Sequence, residues 1–434
     1  MELKGLRALV VGMEKSGLAS AAFLRAYGSD VTTTDIKPRG PGQDDTGFRL
    51  QTDALFAEDW GLIVLSPGVP ADLGPLQAAR ARGVNVIGEI ELAAPFLRGK
   101  TIGITGSNGK TTTTALTGHI LDFAGVPAQV GGNIGTPVIA MTASSREDQW
   151  NVLELSSFQL ETARTFRADI AACLNVTQNH LDRHRTMDNY VNAKGNLFRM
   201  QLPGSYAVLN RGDAACRDFA DLTVAEKLWF SRADIHKGHV WLDDATPLMP
   251  LSEIPIPGPH NAENVLAAAH IARNAGVSPE RIAAAVRTFK AVEHRLEFTA
   301  AIGGVRYYND SKATSVDAAL KAIDSFEGNL WVILGGTDKG SDYRVMRDRL
   351  SEKAHAALLI GAAAEKIASH LDGAVRLVQC GTLERAILEA SASAHPGDTV
   401  LLAPACSSFD QFRNYEQRGQ VFKQLVKDLN HAAA

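Results

Sequence analysis

The stretch Gly103-Ile-Thr-Gly-Ser-Asn-Gly-Lys110-Thr-Thr-Thr-Thr114 decides how this chain folds. The apolar run Thr101 to Ile104 predicts a short buried strand, a Gly/Ser/Asn loop follows, and Thr111 to Phe123 predicts a helix. Strand, glycine-rich turn and helix start together form a phosphate cradle. The first N–H groups of a helix have no partner within it, and the helix dipole adds partial positive charge at the same place. Gly106 and Gly109 can take loop conformations closed to other residues, so phosphate oxygens can approach the backbone. Gly106, Ser107, Asn108, Gly109, Lys110, Thr111 and Thr112 are therefore the expected nucleoside-triphosphate-binding loop, with Lys110 on the β/γ-phosphates and the Thr111 hydroxyl on Mg²⁺. The general pattern G-x-x-x-x-G-K-[ST] asks for glycine at 104, where Ile104 stands. Gly109-Lys110-Thr111 is intact, so the departure is confined to the start of the loop.

The remaining composition narrows the classes open to the chain. Its 434 residues suggest about three domains, and 45% hydrophobic with 21% charged residues is enough for each to bury its own core. A net charge of −4 gives no basic surface for nucleic acid. Cys173, Cys216, Cys380 and Cys406 are far apart and never form C-x-x-C, which argues against a zinc site or disulfide frame and for a reducing cytoplasm. The apolar run within Met1 to Gly12 is too short for a signal peptide, and no stretch approaches the ~20 apolar residues of a membrane span. A cytoplasmic protein without a membrane partner is expected.

Upstream of the loop, residues 7–92 alternate strand and helix. Arg7 to Val11 reads as a strand, then Gly12-Met-Glu-Lys-Ser-Gly17 and a helix to about Tyr27, then a strand Val31 to Thr34 ending at Asp35, and later Leu62 to Leu65 ending in Ser66-Pro-Gly68. This is a Rossmann-like beginning with a damaged fingerprint. G-x-G-x-x-G needs glycine where Glu14 stands, and a glutamate there crowds and repels a pyrophosphate, so NAD is not expected. Asp35 is placed to accept from a ribose or base, or is simply a solvated strand-end carboxylate. The pattern breaks near residue 93 and again near 292, giving expected domains 1–92, 93–291 and 292–434.

In the central segment Gly131-Gly-Asn-Ile-Gly135 is a tight turn, and Trp150 to Ser157 carries a lone carboxylate, Glu154, inside an apolar strand. A strand-end acid in a phosphate-loop domain commonly holds Mg²⁺. Ile170 to Val176 reads as a strand leading to His180 and His184, either of which is open to a purely structural role. By composition Lys194 reads as a helix-surface lysine. Pro255 to Pro259 breaks the chain before a helix that opens with His260 to Asn264, where Asn261 and Asn264 are ligands or caps. In the last third, the loops Asn309–Thr314, Gly335–Gly340 and Ala403–Phe412 each follow a predicted strand. The carboxyl ends of strands are where a doubly wound sheet binds ligands.

Taken together, these motifs resemble the cytoplasmic peptidoglycan-precursor ligases, the family that adds amino acids to UDP-N-acetylmuramic acid. The resemblance rests on the Gly103–Thr114 loop, Gly131–Gly135, Leu153–Glu161, Asn175–Arg183, His260–Asn264, His294–Glu297, Asn309–Thr314, Gly335–Lys339 and Pro404–Tyr415. They span nearly all of the chain, and Leu153–Glu161 and Pro404–Tyr415 are most similar to the D-glutamate-adding branch. The resemblance implies an α/β chain of three domains: a Rossmann-like UDP-substrate domain, a central phosphate-loop domain with a mostly parallel sheet, and a Rossmann-like C-terminal domain for the amino acid. It implies an ATP-dependent ligase that joins D-glutamate to UDP-N-acetylmuramoyl-L-alanine through an acyl phosphate, in peptidoglycan precursor synthesis and hence in cell shape and division. It further implies a monomer that uses two Mg²⁺, with Mn²⁺ as a substitute.

Residue by residue, the resemblance implies that Lys110, Glu154, His180 and Lys194 are catalytic. Thr111 and Glu154 would hold one Mg²⁺, and His180 with a CO₂-carbamylated Lys194 would hold the other. Asn264, Arg295, Asp310 and Lys312 would contact ATP. Ser16, Asp35, Gly68 and Asn133 would contact the UDP substrate, and Thr314, Lys339, Ser408 and Tyr415 the D-glutamate. Glu14, and Tyr415 where phenylalanine is usual, depart from the family pattern. Two other readings stand beside this one: a folylpolyglutamate synthase-like ligase, and a regulator that binds nucleotide and UDP-sugar without chemistry.

Overall fold

Short, mostly buried apolar runs separated by helices produce three large sheets, two parallel throughout and one with a single antiparallel pair. The computed structural model describes residues 2–38, 47–243 and 245–432. The first sheet comprises β1 (Arg7–Val11), β2 (Asp30–Asp35), β3 (Phe48–Leu50), β4 (Leu62–Leu65) and β5 (Asn85–Gly88), in the order β3-β2-β1-β4-β5 and parallel throughout. The side chains of β1 alternate between two cores. Ala8 and Val10 face a cluster shared with the second sheet, and Leu9 and Val11 face a separate cluster with Leu55, Phe56 and Trp60.

The second sheet comprises β6 (Lys100–Thr105), β7 (Ala128–Gly132), β8 (Trp150–Glu154), β9 (Ile170–Cys173), β10 (Tyr206–Asn210) and β11 (Glu226–Phe230), ordered β11-β10-β9-β6-β8-β7 and also parallel. Its register pairs Ile104 with Glu154, Gly132 with Glu154 and Thr105 with Cys173, so four strands end at one edge. β9 is shorter than the expected Ile170–Val176. Beyond Cys173 the Asn175 carbonyl and side chain turn to the phosphate loop, and the Val176 N–H donates to Asp213 instead of a neighbouring strand. A small antiparallel sheet, β12 (Ile235–His236), β13 (His239–Asp243) and β14 (Thr246–Pro250), was not anticipated. Its strands are short and β14 carries two prolines, which obscures the alternating pattern.

These three sheets belong to one compact unit, Met1–Pro250 with Glu263–Val286; Leu251–Ala262 with Arg287–Ala434 form the other. The second unit is built on β15 (Glu297–Ile302), β16 (Val305–Asn309), β17 (Leu330–Gly335), β18 (Ala354–Ile360), β19 (Arg376–Gly381) and β20 (Thr399–Leu402), ordered β15-β16-β20-β17-β18-β19. Only the β15–β16 pair is antiparallel. Apolar clusters cover both faces of this sheet. Leu402 pairs with Asn309 on one side and Ile333 on the other, so the loops after β16, β20 and β17 leave one edge side by side. Among the described residues no helix is long and apolar enough to cross a membrane.

Candidate active site

The phosphate loop forms because β6 ends at Thr105 and the helix Lys110–Phe123 begins five residues later, held down by Leu116, Ile120 and Leu121. The run of four threonines is a poor helix start by propensity, and burial of this face overrides it. Gly109 is the N-cap, with φ 82°, and a Cβ there would lie 2.3 Å from Asn264 Oδ1. Both the backbone and the neighbouring asparagine therefore require glycine at 109. Position 104, where the general pattern wants glycine, is still inside β6 and fully buried, so Ile104 serves the core and the turn starts at Gly106.

Side chains from the ends of other strands fix the loop. Asn175 Oδ1 accepts from the Asn108 N–H at 2.9 Å, and its amide donates to the Asn108 carbonyl at 3.2 Å. Ser107 Oγ donates to the Thr177 carbonyl at 3.0 Å and lies 2.9 Å from the Tyr190 hydroxyl. Lys110 Nζ folds back onto the carbonyls of Gly106 and Ser107, at 2.8 and 3.0 Å.

Lys194 is not the surface lysine that composition suggests. It is 1% exposed on the helix Met187–Arg199, and its Nζ donates to the same Gly106 carbonyl at 2.9 Å, with Thr105 Oγ1 at 3.4 Å. The Tyr190 ring lies 4.6 Å beneath it. Burial, and then the nearby Lys110 ammonium, push Lys194 down to about 7. Glu154 ends β8 and is 2% exposed. Its Oε1 accepts from Asn133 Nδ2 at 2.7 Å, while its buried Oε2 has no hydrogen-bond partner.

A buried, unshared carboxylate oxygen beside a phosphate loop fits a hard cation, and the Thr111 hydroxyl is a second oxygen donor on the same loop. Among the described residues no three His, Cys, Asp or Glu side chains gather as a metal cluster. Mg²⁺ in phosphoryl-transfer sites takes one or two carboxylates plus phosphate oxygens. His180 heads the turn Leu181–His184 with φ 55°, a backbone conformation that costs a non-glycine residue, and its ring edge meets Phe158 at 4.9 Å. His184 is structural: it is buried, lies 2.9 Å from Ser157 Oγ and stacks on Phe158.

Between the first and second sheets lies a cleft of about 1060 Å³ whose lining includes all four residues expected at the UDP substrate, Ser16, Asp35, Gly68 and Asn133. Asp35 accepts from the N–H of Met13 at 2.7 Å and of Lys37 at 3.1 Å, so part of its carboxylate shapes its own loop. Gly17 packs against this turn so closely that a Cβ would meet the Gly12 carbonyl at 1.8 Å. Glu14 is exposed, stands at the N-cap of the helix Lys15–Ala26 without capping it, and lines the cleft.

In the second unit the three strand-end loops carry Asp310, Lys312, Thr314, Lys339 and Ser408, while Arg295 precedes β15 and Tyr415 opens the last helix; Asn264 belongs to the first unit. Asp310 is wholly buried; burial pushes it up to about 6 against Arg295 and Lys312, and its Oδ1 is without a partner, as is Arg295 Nε. Lys312 Nζ sits 5.6 Å above the Tyr415 ring. The Thr314 N–H bonds the Lys312 carbonyl, Ser408 is buried, and Lys339 is exposed. Asn264 meets Gly109, as above. Asn261 Nδ2 instead donates to the Pro257 carbonyl at 2.6 Å, bracing the start of its helix.

Several residues at the site carry no assignment in the sequence reading: Asn175 and Tyr190 on the phosphate loop, and Phe158 and Gln159 on the cleft. For Gln159 a signal was present. Ser156-x-x-Gln159 is a capping box, and both of its reciprocal hydrogen bonds form. Lys194 had one too, since Tyr190, Lys194, Leu197 and Phe198 follow helical spacing on one buried face.

The chain matches one family along nearly its whole length. Residues 6–88 match the Mur ligase MurD-like N-terminal domain, residues 104–272 the Mur ligase middle domain, and residues 294–406 the Mur ligase glutamate ligase domain. The UDP-N-acetylmuramoylalanine--D-glutamate ligase of Solibacter usitatus is 62% identical over 439 residues, covering 99% of each chain. The protein of the same description from Acidobacterium capsulatum is 54% identical over 455 residues, covering 100% of this chain and 99% of its own. Among solved structures, the UDP-N-acetylmuramate-alanine ligase of Thermotoga maritima has a TM-score of 0.62 at 18% identity, with 98% of this chain and 100% of that one covered. At that identity the likeness speaks to the fold.

Proposed function

The chain belongs to the Mur ligase family, and from that premise we propose that it is an ATP-dependent ligase that joins D-glutamate to UDP-N-acetylmuramoyl-L-alanine in peptidoglycan precursor synthesis. The observation that carries this reading is the braced phosphate loop at the edge of the second sheet, with the buried Glu154 and Lys194 beside it. Residues 1–92 take the UDP substrate, 93–291 take ATP, and 292–434 take the amino acid. The enzyme works in the cytoplasm as a monomer, and its product feeds the wall synthesis on which cell shape and division depend.

The chemistry divides between these regions. A substrate carboxylate oxygen attacks the γ-phosphorus of ATP, the bond to the bridging oxygen breaks, and ADP leaves. Lys110 and the N–H groups at the start of its helix neutralise charge spreading over the transferred phosphoryl group. Asn264, Arg295, Asp310 and Lys312 orient the nucleotide. The amine of D-glutamate then attacks the acyl carbon, loses its proton, and expels phosphate as the amide forms. Thr314, Lys339, Ser408 and Tyr415 hold the two carboxylates of the amino acid, so that its amine faces the acyl phosphate. Ser16, Asp35, Gly68 and Asn133 hold the UDP-sugar.

Thr111 and Glu154 would hold one Mg²⁺, and His180 with carbamylated Lys194 a second, with Mn²⁺ able to replace either. When bound, these ions supply charge neutralisation at the phosphate oxygens. Carbamylation of Lys194 is supported by its burial and by the crowding of two lysine amines on one carbonyl. Addition of CO₂ removes the cation and leaves an anionic oxygen ligand. Phosphate release from ATP, measured with UDP-N-acetylmuramoyl-L-alanine and D-glutamate each omitted in turn, tests the assignment. Full release is expected only with both present, and release indifferent to D-glutamate would overturn it.

A further inference from the structure

Arg418 is the largest fully buried side chain of the described residues, at 0% exposure; among them no carboxylate is bonded to it, and Asp410 acts on it only electrostatically. A buried guanidinium normally has an acidic partner, because it cannot shed its charge. Here its donors go to backbone and hydroxyl oxygens. Nε donates to Ser311 Oγ at 3.0 Å, and Nη2 donates to the carbonyls of Ser311 and Cys406 at 2.9 and 3.2 Å. Nη1 reaches the Ser407 carbonyl at 3.5 Å. Ser311 belongs to the loop after β16, and Cys406 and Ser407 to the loop after β20. The third loop, after β17, is joined to this arrangement through Thr337, whose N–H donates to the Ser407 carbonyl at 2.8 Å and whose carbonyl accepts from Ser407 Oγ at 3.2 Å. Ser311 Oγ also donates to the Tyr415 carbonyl at 2.8 Å, closing the cluster on the start of the helix that carries Arg418.

We propose that Arg418 is a positioning residue of the acidic amino-acid site: its buried guanidinium clasps the three strand-end loops that carry Thr314, Lys339 and Ser408, and holds a fixed positive charge behind the place where two carboxylates must sit. The proposal rests on the reading that these loops take D-glutamate. It explains why a cation is tolerated here without a carboxylate bonded to it. The site is built to receive a dianion, and carboxylates brought by the substrate offset a charge that Asp410 balances only in part, since burial outweighs it. Burial lowers Arg418 only to about 10, so it stays charged at neutral pH.

The test uses the full enzyme, with Arg418→Met, Arg418→Lys and Ser311→Ala compared by steady-state phosphate release and by hydrogen–deuterium exchange. Arg418→Met is expected to raise the KM for D-glutamate at least tenfold while the KM values for ATP and the UDP substrate stay within about twofold. Arg418→Lys, which keeps the charge but loses the fork, is expected to recover part of the loss. Ser311→Ala, which removes one acceptor, is expected to raise the D-glutamate KM about threefold. Exchange should quicken in the three clasped loops, 311–314, 335–340 and 404–412, in the variants and not in the first unit.

An unchanged D-glutamate KM in folded Arg418→Met, or an equal rise in all three KM values, overturns the proposal. If that variant does not fold, unaltered D-glutamate KM in both Arg418→Lys and Ser311→Ala does so. A wild-type enzyme that releases no phosphate in response to D-glutamate overturns the functional reading instead, and unchanged loop exchange in the variants still refutes the clasp.

Discussion

Lys194 in the first unit and Arg418 in the second are both buried cations, 1% and 0% exposed, and neither has a salt-bridge partner among the described residues. Each lies on the apolar stripe of a helix, Lys194 with Leu197 and Phe198, Arg418 with Phe422 and Val426. Their surroundings differ in kind. Lys194 has two acceptors and a second lysine nearby, and its amine is held at about 7, so it can give up its charge and become a nucleophile. Arg418 spends its donors on four contacts to loop oxygens and remains charged. A buried lysine is thus a position that chemistry can alter, whereas a buried arginine is a fixed source of positive potential.

The comparison breaks most visibly at Lys194. Lys194→Ala should fold yet lose about two or more decades of turnover, and acetate should restore part of it by entering the vacated space. Lys194→Arg, which can neither shed its charge nor take up CO₂, should be as inactive as the alanine variant. Near-native turnover in the arginine variant would show that only a cation is needed there. The pH dependence has a definite sign: below about 7 the amine is protonated and has no lone pair for CO₂. A ¹³C carbamate signal from labelled bicarbonate should therefore grow between pH 6 and 8 and be absent from Lys194→Ala.

Lys110→Ala probes the second amine on the same carbonyl. Turnover should fall by roughly two decades, with stability changed by no more than ~1 kcal/mol, because this side chain is only partly buried and folds onto the loop carbonyls of Gly106 and Ser107 rather than into the core. Thermal unfolding alongside single-turnover kinetics separates the two effects. In the second unit Lys339→Ala should raise the KM for D-glutamate by about tenfold, while the UDP substrate still binds when titrated by fluorescence or calorimetry. Loss of UDP-substrate binding with glutamate use intact would put the amino acid elsewhere.

The sequence made some of this legible and hid the rest for physical reasons. Gly109-Lys110-Thr111 after an apolar run announces a phosphate loop because the chemistry is local: one strand, one turn, one helix start. Two of the three strand-end loops of the second unit were equally readable, since Leu330–Gly335 and Thr399–Leu402 are buried throughout; the third follows Val305–Asn309, where Arg306 interrupts the apolar pattern. Lys194 and Arg418 were harder, because composition treats a cation as a surface residue and only the spacing of its apolar neighbours says otherwise. Asn175 belongs to neither kind. It acts on Asn108 from 67 residues away in sequence, and no local pattern encodes that contact. The antiparallel strands at 235–250 escaped for a simpler reason: they are short and interrupted by proline.

The route from carboxylate to amide leaves a mark on the oxygen atoms. If UDP-N-acetylmuramoyl-L-alanine labelled with ¹⁸O in its terminal carboxylate is turned over with ATP and D-glutamate, the attacking oxygen should leave with the transferred phosphoryl group. Mass spectrometry is then expected to find one ¹⁸O in each released phosphate and one fewer in the amide product than in the substrate. Unlabelled phosphate formed alongside full amide product would contradict an acyl phosphate, and with it the roles given to Lys110, Glu154 and Lys194.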